Sequence, residues 1–282
     1  MAYSIKKMVK IINGLVFGIE IEIASCLGGK AGLIEALRSK GIACRSEFYN
    51  HNTRDYWKIV DDASVSGGFE LVSPICKGQD GLDEVELVCE ALEMVDAQVD
   101  RRCGLHVHHD ATQIKGKFAD LVQLYQNLEN TIDTIMPPSR RGQNNGYCKT
   151  VKGKTEENLV ADRYHKVNLD SYLKHGTAEF RQHSGTVEFP KIGGWIMITG
   201  ILMAKVASAR KPLKPATFNT FWQAKNYMGI DFGEGYDDYP EYAKLALHFF
   251  NKRHEYFCDR EGYAHNTPEF GINGIRPMAE AA

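Results

Sequence analysis

Two glutamates in the segment FGIEIEI, residues 17–23, have the spacing of groups that could bind a cation together. Successive side chains of a β-strand point to opposite faces, so a strand here places Glu20 and Glu22 on one face, roughly 6.6 Å apart. Phe17 and the three isoleucines then share the other face. Two carboxylates on one face repel each other unless solvent or a cation separates them. The segment therefore predicts either a solvated acidic face or part of a cation site.

The same alternation of apolar and polar residues recurs in three other segments. The polar members are His106 and His108 in CGLHVHHD, Glu179 and Arg181 in GTAEFRQHSGT, and Glu70 in GGFELVS. Each of them, taken alone, could be a solvated or otherwise satisfied polar residue. In every segment, however, the apolar neighbours point to the opposite side of the strand. If the strands share one sheet, a single face gathers carboxylates, imidazoles and a guanidinium.

Such a face favours a divalent cation. Burying the cluster without cations would cost several kcal/mol per charge, a penalty that a bound cation offsets. Mg²⁺ and Mn²⁺ prefer carboxylate oxygens and tolerate an imidazole. Zn²⁺ fits less well, because carboxylates outnumber the nitrogen ligands. We therefore expect a site for Mg²⁺ or Mn²⁺.

Composition limits the class of protein. The 282 residues are 43% hydrophobic and 25% charged, as in ordinary globular proteins, and the formal net charge is −2. This charge gives no reason to expect a nucleic acid or an anionic membrane as a partner. No apolar run reaches the ~20 residues needed to span a bilayer, and no signal peptide is evident. The seven cysteines lack zinc-type pairing, which favours reduced thiols and a cytoplasmic location.

Hydrophobic periodicity predicts alternating helices and strands without a regular βαβ rhythm. Helices are expected over 30–40, 82–99, 118–135, 193–208 and around 241–257, and strands over 56–60, 68–72, 164–169 and 176–182. Neither GxGxxG nor GxxxxGK[ST] occurs, so nothing favours a Rossmann or P-loop protein. The expected fold class is α+β, a largely antiparallel sheet with helices packed on one face.

The motifs resemble those of a known family in their order and spacing. These motifs are FGIEIE, DDASVSGGFELVSP, CGLHVH, PPSRR followed by NNGYC, and RYHKVNL followed by GTAEFRQHSGT. Together they resemble the amidoligase family, which belongs to the glutamine synthetase-like carboxylate–amine ligases. The resemblance spans about residues 14–205. It implies a catalytic domain over 1–209 and a C-terminal helical or irregular extension over 210–282, unless that extension is part of the same domain. It also implies an ATP site with two or three Mg²⁺ ions at the open end of a curved sheet.

The resemblance further implies roles for individual residues. The metal ligands would be Glu20, Glu22, Asp62, Glu70, His106 and Glu179, with an aspartate at 62 where the synthetases use glutamate. His108 and Arg181 would lie near the nucleotide phosphates. Arg140 and Arg141, in the polar loop after two prolines, would contact phosphate or the substrate carboxylate, since guanidinium binds both in a bidentate manner. Arg163, Tyr164 and Asn168 would have structural or substrate-positioning roles.

Three functions follow as hypotheses. The first is an ATP-dependent ligase that joins a carboxylate and an amine through an acyl phosphate, with Arg181, Arg140 and Glu179 in catalysis. The second is a metal-dependent hydrolase that uses the same HxH and acid cluster. The third is a non-catalytic binding protein of the same fold. For the ligase, the substrates would be a small-molecule or peptide carboxylate and an amine; the sequence leaves their identity and the oligomeric state open.

Overall fold

The computed structural model describes residues 3–61, 65–231 and 235–270. Its strands are β1 Val16–Ile23, β2 Cys44–Ser46, β3 Trp57–Asp61, β4 Phe69–Val72, β5 Cys76–Lys77, β6 Gly104–Asp110, β7 Val167–Asn168 and β8 Thr177–Ser184. Its α-helices are α1 Ile5–Asn13, α2 Gly29–Ser39, α3 Gly78–Met94, α4 Phe118–Asp133, α5 Glu156–Ala161, α6 Asp170–His175, α7 Phe189–Ser208, α8 Phe221–Met228 and α9 Glu241–Glu261.

The strands form one mixed sheet in the order β2-β3-β4-β1-β6-β8-β7, and β5 pairs with the start of β1. The β2–β3 pair is parallel, and the other described pairs are antiparallel. This arrangement confirms the α+β class and the largely antiparallel sheet. The central position of β1, between β4 and β6, decides which polar residues become neighbours.

One face of the sheet is buried under helices. The apolar side chains of β1, from Phe17 to Ile23, are each no more than 2% exposed and share one core with residues of α3, α4 and α7. His109 also lies on this face, where its Nε2 is 2.8 Å from the Thr199 hydroxyl on α7. The helices therefore cover the apolar face and leave the polar face of β1 available for a site.

Helix α7 is the central helix of this core. Among the described residues it alone is long and apolar enough to span a membrane, but 72% of that apolar stretch is buried inside the protein. A β-carbon at Gly194 would lie 2.5 Å from Phe249, so glycine is what allows α9 to pack this closely against α7. Phe249, Phe250 and other residues after 209 thus belong to the same core, and the division at 209/210 stays a prediction.

The observed elements differ from the predicted ones at several points, including the short elements β2, β5, α5, α6 and α8, for which there was no prediction. Helix α1 was not predicted, and α3 covers 78–94 instead of 82–99 because Asp96 turns the chain with a φ of +47°. The predicted strand over 164–169 is reduced to β7. Residues Tyr164 and Lys166 instead exchange backbone hydrogen bonds with Lys149, so that part of the segment pairs with a loop and not with the sheet.

Candidate active site

The antiparallel register of neighbouring strands brings the alternating polar residues side by side. Glu20 on β1 lies opposite His106 on β6, and Glu22 lies opposite Glu70 on β4. Strand β8, on the other side of β6, places Glu179 opposite His108. The four segments that the sequence singled out therefore do contribute to one face of one sheet.

Two groups of possible metal ligands share the imidazole of His106. The first is Glu20, His106 and Glu179, and the second is Glu22, Glu70 and His106; within each group the ligand atoms lie within 4.8 Å of one another. His106 Nδ1 is 2.9 Å from Glu20 Oε2 and 3.5 Å from Glu179 Oε1, while its Nε2 is 3.7 Å from Glu22 Oε1. The two nitrogens of one ring thus face the two groups.

Glu179 is held from two sides by neighbouring side chains. The Asn168 amide donates to Oε2 at 2.5 Å, and Arg181 Nη1 donates to Oε1 at 2.5 Å. Glu179 and Arg181 are 3% and 5% exposed, so this ion pair is almost fully removed from water. Arg181 Nε also donates to the backbone carbonyl of Tyr147, at 3.3 Å, in the loop that follows the prolines. The guanidinium is therefore fixed beside the first ligand group.

The charges of the cluster depend on one another. Burial alone would raise the pKa of Glu20, but the charge of His108 and the hydrogen bond from His106 outweigh it and hold that pKa well below its usual range. Burial likewise opposes the ionisation of Glu179, and Arg181 followed by His108 lowers its pKa. The same two carboxylates raise the pKa of His108 against the effect of burial. Both glutamates are therefore ionised, and imidazole and guanidinium charge stabilises them.

The missing side chain of Gly104 lets Glu22, His106 and Arg140 come close together. The Gly104 backbone N–H donates to Glu22 Oε2 at 2.5 Å. A β-carbon at this position would lie 3.0 Å from His106 Nε2, 3.4 Å from Arg140 Nη1 and 3.5 Å from Glu22 Oε2. Arg140 is 4% exposed, and its Nη2 donates to the carbonyl of Cys103 at 2.7 Å. The structure therefore brings Arg140 to the site through the backbone next to the GLHVH motif.

Arg141 is not brought to the ligand groups by the structure, and its predicted contact with phosphate or substrate stays a prediction. Its Nε donates to the carbonyl of Met136 at 2.7 Å, its Nη1 is 3.1 Å from Glu261 on α9, and the guanidinium stacks over Phe257. Arg140 ends a short 3-10 helix over Pro138–Arg140 and Arg141 follows it with an extended backbone, so the two side chains leave the chain in different directions. Asp62, the remaining predicted ligand, lies outside the described residues.

A cleft of about 930 Å³ runs along this polar face. Both ligand groups, His108, Arg140 and Arg181 line it, together with residues 49–53 near one edge of the sheet and residues 144–147 near the other. Arg163, Tyr164 and Asn168 also line the cleft, and the Asn168 side chain donates a hydrogen bond to Glu179. The cleft is large enough for a nucleotide together with a second small molecule.

Two further residues, Lys58 and Gly104, shape this cleft and were not among the predicted site residues. Lys58 on β3 is 4% exposed, and its ammonium donates to Asn50 Oδ1 and to the carbonyls of Asn50 and Asn52, at 2.8–3.1 Å. It alternates with Trp57 and Ile59, the same signal that singled out Glu70. The other is Gly104. The sequence gives no signal for it, because its effect comes from the three groups that a side chain there would displace.

The donor atoms fit hard divalent cations. Each group offers two carboxylates and one imidazole nitrogen, and carboxylate oxygen is the ligand that Mg²⁺ and Mn²⁺ prefer. His108 Nε2 is buried and makes no hydrogen bond to any described residue, although Glu20 Oε1 lies 3.3 Å away. A buried nitrogen without a hydrogen bond is costly unless a ligand satisfies it. The site therefore has both the ligands and an unmet polar atom that a charged ligand would explain.

Comparison with known proteins identifies the family. The family model described as "Putative amidoligase enzyme" matches residues 13–161 and 152–202, about two thirds of the chain. A search of curated proteins gave no match. Among solved structures, a "novel glutamine synthase homolog" is similar at 15% identity and a TM-score of 0.47, covering 93% of this chain and 72% of that chain. On the family match, this chain belongs to the amidoligase family, and that membership supports a ligase-type enzyme.

Proposed function

We propose that this protein is an ATP-dependent carboxylate–amine ligase that requires Mg²⁺ or Mn²⁺. The observation that carries the proposal is the pair of ligand groups sharing His106, with the buried guanidiniums of Arg140 and Arg181 beside them in one cleft. Carboxylates select the metal and guanidiniums select phosphate or carboxylate oxygens. The combination supports metal-assisted phosphoryl transfer more than metal-assisted hydrolysis, which gives no role to two buried arginines.

The two ligand groups would hold two ions. Glu20 and Glu179 would bind one, and Glu22 and Glu70 would bind the other. Bound divalent ions would offset the negative charge of the phosphate oxygens during transfer. His106 would ligate one of the ions through its unprotonated nitrogen, and its other nitrogen would carry the proton and donate to a carboxylate of the other group.

The arginines would act on the phosphoryl group. Arg181 is held by Glu179 and by the Tyr147 carbonyl, so its guanidinium pays little further entropy when it binds an anion. Arg140 is held by the Cys103 carbonyl. Positively charged groups fixed before the reaction stabilise the charge that develops on equatorial phosphate oxygens. We assign Arg181, Arg140 and Glu179 to this step, and His108 to the nucleotide phosphates.

The reaction would have two steps. A substrate carboxylate oxygen attacks the γ-phosphorus of ATP, forming an acyl phosphate and releasing ADP. An amine nitrogen then attacks the acyl carbon, inorganic phosphate leaves, and the amine gives up a proton as the amide or isopeptide bond forms. The substrates would be a small-molecule or peptide carboxylate and an amine. All seven cysteines are free thiols, which agrees with the cytoplasmic location that we propose with this function.

A turnover screen tests this proposal. Pools of carboxylates are incubated with ATP, Mg²⁺ and hydroxylamine, which converts an acyl phosphate into a stable hydroxamate that mass spectrometry identifies. We expect a hydroxamate in equal amount to the ADP formed. Hydrolysis of an amide or phosphoester by the metal-loaded protein in the absence of ATP would instead favour the hydrolase.

A further inference from the structure

A fully buried lysine, Lys166, is a neighbour of Arg181, because its backbone carbonyl accepts from the Arg181 N–H at 2.9 Å. Lys166 is 0% exposed, and its Nζ is 2.7 Å from Glu129 Oε1 and 2.7 Å from Asp133 Oδ1, both on α4. Buried ion pairs often add little stability compared with apolar residues, so their presence calls for another explanation. One use of such groups is to fix a particular arrangement of the chain.

The remaining carboxylate oxygens hold the two ends of one loop. Asp133 Oδ2 accepts from the backbone N–H of Gly142 at 2.9 Å, and Glu129 Oε2 accepts from that of Val151 at 3.1 Å. We call this stretch the 142–151 loop. Its middle residues line the cleft, and the Tyr147 carbonyl accepts from Arg181. Both ends of a cleft-lining segment are therefore tied to the same buried lysine through two carboxylates.

The same group of residues also holds the backbone of Arg140. The Gln182 side chain, 0% exposed, donates to Asp133 Oδ1 at 2.5 Å and to the carbonyl of Arg140 at 3.0 Å, while it accepts from the Tyr125 hydroxyl at 2.5 Å. Gln182 follows Arg181 on β8. Displacing Asp133 would therefore shift the backbone of Arg140 as well as the beginning of the loop.

We infer that Lys166, Glu129 and Asp133 form an anchor that positions Arg140 and the 142–151 loop over the cleft for the proposed ligase reaction. None of the three is assigned a contact with substrate; they act through Gly142, Val151 and Gln182. The inference rests on the proposed function for what the loop does, while the anchoring itself can be measured without nucleotide.

Asp133→Asn tests the anchor with little risk of unfolding. Replacing Lys166 would leave two buried carboxylates without a cation, whereas Asp133→Asn leaves Lys166 paired with Glu129. An amide offers one acceptor oxygen and one donor NH₂ group. The oxygen should face the charged Lys166 and Gln182, which both donate to Oδ1, so the NH₂ group replaces the acceptor of the Gly142 N–H. The matched control is Asp120→Asn, because Asp120 also lies on α4 and accepts from a backbone N–H, that of Leu213, at 2.7 Å.

Hydrogen exchange of the nucleotide-free protein is the first measurement. We expect Asp133→Asn to speed exchange at Gly142 by about tenfold, the effect of losing one ordinary hydrogen bond. Glu129→Gln should do the same at Val151. Asp120→Asn should affect exchange near Leu213 and leave the 142–151 loop unchanged. Wild-type exchange in the loop of both anchor variants would overturn the inference.

The second measurement separates positioning from general stability. We expect Asp133→Asn to weaken binding of a non-hydrolysable ATP analogue with Mg²⁺ by about tenfold, and to have a smaller effect in an Arg140→Ala background, since part of the change acts through Arg140. Equal losses in both backgrounds would overturn the positioning role. If the wild-type protein binds no Mg²⁺–nucleotide, the proposed function fails, and the exchange result still decides whether the anchor exists.

Discussion

Glu20 and His106 lie directly opposite each other on the β1–β6 ladder, with Glu20 Oε2 2.9 Å from His106 Nδ1. This pair places a carboxylate and an imidazole at the centre of the sheet, within reach of strands on both sides. In the metal-free protein the charge of His108 and the hydrogen bond from His106 stabilise the Glu20 carboxylate. Bound divalent ions would stabilise the carboxylates in place of the imidazoles. The same pair therefore bears on the stability of the metal-free protein and on its binding of metal.

Glu20→Gln and Glu179→Gln should affect the metal-free protein differently. Glu20 is partly exposed and its ionised form is stabilised by the two histidines, so its loss should lower the free energy of unfolding at neutral pH, but by less than the loss of Glu179. Glu179→Gln leaves the buried Arg181 without its carboxylate and should destabilise the protein by about 3 kcal/mol. Urea denaturation in EDTA measures both values. We expect both variants to lose Mg²⁺-dependent nucleotide binding. Equal free energies of unfolding for the two variants would contradict a larger contribution of the Glu179–Arg181 pair to stability.

Arg181→Lys should lower turnover much more than metal affinity. Lysine keeps the positive charge but loses the planar pair of donors that match phosphate oxygens. Arg141→Lys is the matched control, because Arg141 contacts Met136 and Glu261 away from the ligand groups. Hydroxamate formation at saturating Mg²⁺ is the measurement. The assignment is contradicted if the control loses as much activity as Arg181→Lys, or if Arg181→Lys weakens Mg²⁺ binding while acyl phosphate still forms at the wild-type rate.

Gly104→Ala should impair ligand binding without a backbone penalty. Gly104 lies in a β-strand, where alanine is sterically allowed, but the added methyl group would lie 3.0 Å from His106 Nε2. The imidazole or Arg140 must then move. We expect weaker Mg²⁺-dependent nucleotide binding by about tenfold, with thermal stability lowered by only a few degrees, as for a mild change in packing. Unchanged affinity would contradict a role of His106 Nε2 in binding the metal and nucleotide.

The buried His254 should make the protein less stable in acid. Burial lowers its pKa to about 4, below the ~6.5 of an unfolded chain, so the unfolded state binds the proton more tightly. Its contribution is complete above pH ~6.5 and is lost as the pH falls toward 4, by about 1 kcal/mol per pH unit. His254→Gln should reduce the difference between unfolding free energies measured near neutral pH and in mild acid. An identical difference in the variant would contradict this assignment.

The alternation of residue types predicted which side chains share a face, and the structure agrees for Glu20, Glu70, His106 and Arg181. It could not predict register, which decides that Glu22 lies opposite Glu70 and that His106 serves two groups. Loop residues carry no such periodicity. Arg140 and Arg141 looked equivalent in sequence, and only the contacts of the following loop and of α9 separate them. The anchor could not be predicted either, since Lys166 lies in the segment 164–169 that was expected to be an ordinary strand, and it meets Glu129 and Asp133 of α4 only in the folded chain.

Mg²⁺-dependent binding of ATP tests the central claim most directly. Calorimetric titration with a non-hydrolysable ATP analogue compares the wild-type protein in Mg²⁺, in Mn²⁺ and in EDTA, and Glu20→Gln in Mg²⁺. The proposed site predicts binding in either metal, none in EDTA, and a loss of at least about tenfold for the variant, as expected when a metal ligand is removed. Equal affinity with and without metal, or no nucleotide binding under any of these conditions, would contradict it.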